Sequence, residues 1–243
     1  MFDKDMVFKF MSFSEYSFRS ILNQELFFSA NKYFNDPFEN DFNVGFDIDG
    51  MKEESQEKIK RQLYEIASKT ATFCTSRDYQ NSLMWSHYTA QHGGFCLALS
   101  RSALIGVNEY KEVGGVEWKK IVGSLICRDM SYVKSPPKVS MKKCLNIHSK
   151  KGDFMEYVAR ETLFKKSQDW RYEEETRFVL VVGNIHNGVV VKLPVNVIKG
   201  VIFGCRATEE NKSALRACLP KARFFQAKNS LGKSYKIECD EVY

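Results

Sequence analysis

Glu173, Glu175 and Arg177 follow one another at two-residue spacing within the run Trp170-Arg171-Tyr172-Glu173-Glu174-Glu175-Thr176-Arg177-Phe178-Val179-Leu180-Val181-Val182. Alternate side chains of a β-strand share a face, and neighbours on that face stand about 6 to 7 Å apart. A strand here therefore puts all three charged groups on one side. Val179 and Val181 continue that side, and Phe178, Leu180 and Val182 make the other side apolar as well, the pattern of a central strand covered on both faces. Charge entering such a strand is costly unless paired, so its charged end should open into a cleft. A carboxylate fixed beside a cation at a cleft mouth can stabilise developing positive charge or take a proton. The same pattern also describes a solvated strand start with a structural ion pair, and alone it selects no reaction.

A second cluster lies in Leu83-Met84-Trp85-Ser86-His87-Tyr88-Thr89-Ala90-Gln91-His92-Gly93-Gly94-Phe95, with two of the four histidines. On a helix, residues five apart face about 140° from each other, so His87 and His92 do not share a metal, and no metal is assigned. Tyr88 and His92, four apart, can share a face, and Trp85 with Tyr88 offers a flat aromatic surface for a ring-shaped ligand. The competing reading is an amphipathic core helix. In Phe34-Asn35-Asp36-Pro37-Phe38-Glu39, the Asn and Asp side chains can fold back onto backbone amides and Pro37 fixes φ, which makes a rigid polar loop suited to function. Neither Gly-x-Gly-x-x-Gly nor Gly-x-x-x-x-Gly-Lys-Thr occurs, so a nucleotide bound here needs a different cradle.

These groups need elements to position them. Val7 to Phe10 alternates as a strand, Ser12-x-x-Glu15 reads as a capping box starting a helix through about Asn23, and Glu25 to Ser29 reads as a short strand. Ile59, Leu63 and Ile66 recur at helical spacing on a surface helix. Ala71 to Thr75 is strand-like, Asn81 caps a helix through Tyr88, and Phe95 to Leu99 is again a strand. Val122 to Ile126 and Met130 to Val133 are strand candidates. A helix from Asp153 to Lys165 leads into the Glu175 run; strands at 189–191 and 201–203, a helix capped by Thr208 and a closing hairpin follow it. Helices and strands interleaved in this way predict an α+β single domain over 1–243, with a mixed, largely antiparallel central sheet flanked by helices.

The 243 residues, 44% hydrophobic and 14% aromatic, exclude a disordered chain and supply an ample core. The opening Met1-Phe2-Asp3-Lys4-Asp5-Met6 carries acids where a secretion signal needs bases, and no long uncharged apolar run follows, so the expectation is a cytoplasmic chain without a membrane partner. Seven cysteines, an odd number standing singly, fit reduced thiols. The net charge of +6 is modest. Its most basic stretch, Lys134 to Lys151 with Lys138, Lys142, Lys143 and Lys150, is a solvated face that could attract a polyanion.

Taken together, Phe28-Ser29, Phe34-Asn35-Asp36-Pro37-Phe38, Phe73-Cys74-Thr75, Leu83-Met84-Trp85-Ser86-His87-Tyr88 with His92-x-Gly94-Phe95, and Lys166-x-x-x-Trp170-x-Tyr172-Glu173-x-Glu175-x-Arg177 resemble the bacterial domain of unknown function 2971. The resemblance spans nearly the whole chain. It implies a cytoplasmic bacterial protein of the kind often found in defence-type gene neighbourhoods. Where that family commonly shows Tyr-Lys-Tyr-Arg, this chain has Phe8-Lys9-Phe10-Met11. The motif order is also distantly similar to the layout of ADP-ribosyltransferases, in which a basic residue, a Ser and a late Glu-x-Glu strand start form the site. That likeness implies NAD as substrate, with a protein or nucleic acid as acceptor. Glu175 would stabilise the ribosyl cation, Glu173 would orient the acceptor and Arg177 would fix the carboxylate. Lys9, Ser29, His87, His92 and Lys166 would line the nucleotide site, Asn35 and Asp36 would hold the loop, and Trp85, Tyr88 or Trp170 would provide aromatic contact. Two other readings stay open: a non-catalytic nucleotide or nucleic-acid binding module, and a metal-dependent nuclease using Asp36, Glu173, Glu175 and Lys166.

Overall fold

The computed structural model describes residues 2–39, 41–47, 50–121, 125–151, 154–183, 186–230, 232 and 234–242. The first strands are β1 (Met6–Met11), β2 (Glu25–Ala30), β3 (Asn43–Gly45), β4 (Thr70–Ser76), β5 (Phe95–Ser100), β6 (Glu109–Glu112), β7 (Lys119–Lys120) and β8 (Ile126–Asp129). They are followed by β9 (Ser131–Val133), β10 (Lys138–Ser140), β11 (Lys165–Ser167), β12 (Glu175–Val181), β13 (Gly188–Lys192), β14 (Ile198–Phe203), β15 (Arg223–Asn229) and β16 (Ile237–Val242). The helices are α1 (Glu15–Leu22), α2 (Glu53–Ser68), α3 (Ser82–Tyr88), α4 (Arg101–Ile105), α5 (Met141–Ser149), α6 (Phe154–Leu163) and α7 (Glu209–Cys218). The fold is α+β, as the interleaved pattern predicts. Of the strand candidates in the middle third, residues 122–124 lie outside the described residues, as does Asp153 at the expected start of a helix.

Twelve described strands form one sheet in the order β16-β15-β14-β5-β1-β4-β2-β13-β6-β7, with β12 on β4 and β8 on β12. Within it only β14 and β15 run parallel, on either side of α7; the other neighbours are antiparallel. The sheet forks at β4. One edge of β4 pairs with β12 along its whole length, from Glu175↔Ser76 to Val181↔Thr70. Its other edge is shared, with β2 at Ser29↔Thr72 and Ala30↔Ala71 and with β1 at Phe8↔Ser76. β1 and β2 therefore diverge and leave Phe73, Cys74 and Thr75 without a strand partner on that side. At about 3.3 Å per residue the gap is roughly 10 Å long.

Apolar side chains anchor both sides of this fork. Phe28, Phe73, Phe95, Leu97, Phe178, Val189 and Phe203 pack on one face, and Phe8, Phe10, Met84, Trp85, Ile202 and Phe225 pack on the other beneath α3. Such burial on both faces makes β5 and most of β12 continuous apolar runs. No described helix is long and apolar enough to cross a membrane.

The first helix starts two residues later than the Ser12-x-x-Glu15 pattern predicts. Ser14 is the N-cap: its hydroxyl accepts from the Ser17 amide, and the Ser17 hydroxyl accepts from the Ser14 amide. Serine thus does at the third helical position what glutamate does in the more familiar box. Ser14→Ala is expected to cost about 1 kcal/mol and to lower the melting temperature by about 2 to 4 °C. Ser12→Ala should change stability by less than about 0.5 kcal/mol, and calorimetry of the two variants tests the assignment.

Candidate functional site

The fork encloses a cavity of about 350 Å³. Its floor is the open edge of β4, with Phe73, Cys74 and Thr75; Lys9 of β1 and Ser29 of β2 contribute from the two diverging arms. Lys9 spans the gap. Its Nζ donates to the Cys74 carbonyl at 3.0 Å and lies 4.9 Å from the centroid of the Phe73 ring, so it takes the place of a missing ladder bond. The remaining wall comes from the loop after β2, with Tyr33, Phe34, Asn35, Asp36 and Glu39, and from Tyr88, Lys166, Trp170, Glu173, Glu175 and Arg177.

Five charged side chains in this wall, none more than 9% exposed, form one cluster. Arg177 donates to Glu175 through Nε at 2.6 Å and Nη2 at 3.2 Å, and through Nη1 to the Leu163 carbonyl at 2.9 Å. Lys166 reaches Glu173 at 2.7 Å, Glu175 at 3.4 Å and Glu39 at 3.7 Å, and lies 4.8 Å from the Trp170 ring centroid. The Tyr88 hydroxyl donates to Glu173 at 2.6 Å, and Asn35 hydrogen-bonds that hydroxyl. Nη2 of Arg177 stands 2.7 Å from Glu39 Oε1, a close ion pair whose N–H is poorly aligned on the oxygen.

The three glutamates reach the cluster by different routes. Glu175 and Arg177 share one face of β12, as their spacing predicts. Glu173 arrives differently, from the end of a 3₁₀ turn, Gln168–Glu173, that closes on Glu174 in the left-handed conformation at φ 42°. This reversal directs Glu173 and Glu175 to the same cluster while Glu174 stays exposed. The Glu175 backbone is also pinned: its amide donates to the Tyr132 hydroxyl at 2.8 Å and its carbonyl accepts from Met130 at 2.9 Å.

Burial would raise the Glu175 carboxyl, but the charges of Arg177 and Lys166, with hydrogen bonds from Arg177 and Cys74, outweigh it and bring it down to about 2. At Glu39 the balance is reversed. Burial dominates the attraction of Arg177 and Lys166 and the carboxyl is raised. Tyr88 is raised by burial and by its bond to Glu173. A carboxylate depressed on folding adds stability that is fully present above its unfolded pKa and is lost as pH falls through the folded value. Glu175 should therefore contribute roughly 3 kcal/mol that disappears between about pH 4.5 and 2. Glu39 works with the opposite sign, its contribution being lost as pH rises through its folded value. Denaturant unfolding of the wild type and Glu175→Gln across the acid range measures the Glu175 part as a slope that the variant lacks.

Of the residues singled out from sequence, Lys9, Ser29, Asn35, Asp36, Tyr88, Lys166, Trp170, Glu173, Glu175 and Arg177 meet at the cavity. Asp36 holds its loop, accepting from the Phe38 amide at 3.0 Å. Trp85, His87 and His92 stand elsewhere. Trp85 is fully buried, donates from Nε1 to the Tyr79 carbonyl at 2.6 Å and packs edge-on against Phe10, so it is core and offers no stacking face. His87 is exposed beside Tyr172. His92 lies beyond the end of α3, in a turn where Ala90, Gln91 and His92 all have positive φ, which removes the helical face it was expected to share with Tyr88. Glu39, Cys74 and Tyr132 are participants that spacing does not reveal.

Among the described residues no three His, Cys, Asp or Glu side chains converge in a metal-holding geometry. Glu173 and Glu175 are instead engaged by Lys166 and Arg177.

Comparison with known proteins gives one match, to a family model over part of the chain. Residues 84–178 match the family model described as "Protein of unknown function (DUF2971)". Over this segment the chain is similar to that family. The matched segment carries Tyr88, Lys166, Trp170, Glu173, Glu175 and Arg177, whereas Lys9, Ser29 and Glu39 are supplied by the preceding chain. Searches of curated proteins and of solved structures give no match.

Proposed function

We propose that the cavity cleaves the N-glycosidic bond of an oxidised nicotinamide nucleotide such as NAD, transferring ADP-ribose to an acceptor or to water. The observation that carries this reading is a cavity-lining carboxylate, Glu175, buried yet held ionised by Arg177 and Lys166. In the reaction the bond from ribose C1′ to the ring nitrogen breaks and its electron pair leaves with the ring. Loss of that pair leaves an oxocarbenium-like C1′, which an acceptor oxygen then captures as it gives up its proton. Because the departing pyridinium becomes neutral nicotinamide, the leaving group needs no acid. What the step needs is a preorganised negative charge near C1′, and an ionised carboxylate in a water-poor cavity supplies one.

In this reading Glu173, oriented by Tyr88 and Lys166, holds the acceptor. Phe34, Tyr33 and Trp170 give aromatic surface for the ring, and Lys9 attracts the phosphate end. A volume of about 350 Å³ sits at the low end of the range for small-ligand pockets, about 300 to 1,000 Å³, and suits the nicotinamide-ribose half of a dinucleotide better than the whole. A role as a toxin or antiphage effector belongs to the same proposal. The exposed lysines of residues 134–151 favour a second reading, a module that binds a nucleotide or nucleic acid without chemistry.

The test is to incubate the protein with NAD, with and without cell extract as a source of acceptor, and follow free nicotinamide by chromatography. Release above that given by heat-inactivated protein is expected. Its absence under both conditions would replace this reading with the binding module.

A further inference from the structure

The buried cluster is not balanced: Glu39, Glu173 and Glu175 face only Lys166 and Arg177. Other charged groups around the cavity do not correct this. Lys9, on the β1 wall, is engaged by the Cys74 carbonyl and the Phe73 ring, and Asp36 is turned onto the Phe38 amide. Glu175 has the fork of Arg177, and Glu173 has Tyr88 and Lys166. The excess falls on Glu39. Its side chain is 3% exposed and lines the cavity, its Oε2 stands 3.7 Å from Lys166, and its Oε1 stands 2.7 Å from an Arg177 nitrogen that is poorly aligned on it and is shared with Glu175. The ionisable groups that face it are Arg177 and Glu175 from β12 and Lys166 from β11. Glu173 and Tyr88 stand one contact farther, and Cys74, bonded to Glu175, rises from β4. A buried carboxylate in this position gains by taking up a proton or by meeting a cation.

We propose that Glu39 is a proton-exchanging counter-charge that makes the cavity selective for a monocationic ring: in the empty site it carries a proton, and a cationic ligand displaces that proton. The inference deepens the N-glycoside reading and rests on it only for the identity of the ring. It explains how such a site would prefer the oxidised pyridinium to a neutral ring of the same shape.

The sign of the pH dependence follows. Binding of the cation releases a proton, so its affinity rises with pH, by up to about tenfold per pH unit while Glu39 is protonated in the free protein, and levels off once it is ionised. A neutral ring gains nothing from deprotonation. Isothermal titration of the full chain with 1-methylnicotinamide and with nicotinamide, between about pH 5 and 8 and in two buffers of different ionisation enthalpy, reads both effects. Release of about one proton with the cation and none with nicotinamide is expected, together with tighter binding of the cation. Glu39→Gln should abolish the proton release and weaken the cation on the order of tenfold.

Cation binding without proton release in the wild type, an unchanged pH slope in Glu39→Gln, equal affinity for the two rings, or no binding of the cation would each overturn the proposal. The wild-type proton count stands without any variant, so a poorly folding Glu39→Gln does not weaken the test. Proton-linked cation binding in a protein that releases no nicotinamide from NAD would remove the N-glycoside reading and leave this one intact. Nicotinamide release combined with pH-independent cation binding would do the reverse.

Discussion

Arg177→Met is expected to lower stability by about 3 to 5 kcal/mol and the melting temperature by on the order of 10 °C. The guanidinium is buried within β12 and holds Glu175, Glu39 and the Leu163 carbonyl together. Methionine fills similar space but leaves the Glu175 carboxylate, the Glu39 carboxyl group and a carbonyl in a dry site with only Lys166 nearby. Removing one partner of a buried pair costs more than removing both, because a single deletion strands the other charge. The double variant Arg177→Met/Glu175→Gln should therefore be more stable than Arg177→Met alone. Urea unfolding of the four species of this cycle gives the coupling directly. A purely additive result would mean that Arg177 contributes by packing and not by charge.

Glu175→Gln carries the second large expectation, a fall in turnover of about two to three orders of magnitude with little change in KM. Glutamine keeps the shape and one acceptor for Arg177, and Arg177 retains Glu39, so the fold should survive. What disappears is negative charge beside C1′ at the moment positive charge develops there. An interaction made mainly in the transition state lowers kcat and spares KM. The wild-type rate should also be flat with respect to Glu175 ionisation near neutral pH, because its carboxyl titrates near 2.

Part of this site is readable in the sequence because its signals are local. Glu175 and Arg177 share a face by strand alternation, and the apolar run after them leaves β12 only a central place in the sheet. Asn81 caps α3 and Asp36 braces its turn through bonds spanning a few residues. The Glu173 carboxylate also reaches the cluster, but strand period alone gives the wrong reason for it, since the left-handed Glu174 and the 3₁₀ turn before it do the positioning. Trp85, His87 and His92 show the limit of residue-type reasoning. A Trp beside a Tyr is as consistent with core as with a stacking platform, and the sheet beneath α3 decides for core. His92 depended on a helix continuing past Tyr88, where the backbone turns left-handed instead. Glu39 is legible only in three dimensions. Nothing within its own loop places it beside Arg177; the fork of β1 and β2 around β4 does so, and such long-range pairing has no short-range signature.

The most direct test of the central claim is a single-turnover measurement of nicotinamide release from NAD by the wild type and by Glu175→Gln, each shown to be folded by circular dichroism. The account predicts release by the wild type and a rate at least about 100-fold lower in the variant. Equal rates in two folded proteins would contradict it, because the bond would then be breaking without the charge that this cavity is proposed to supply.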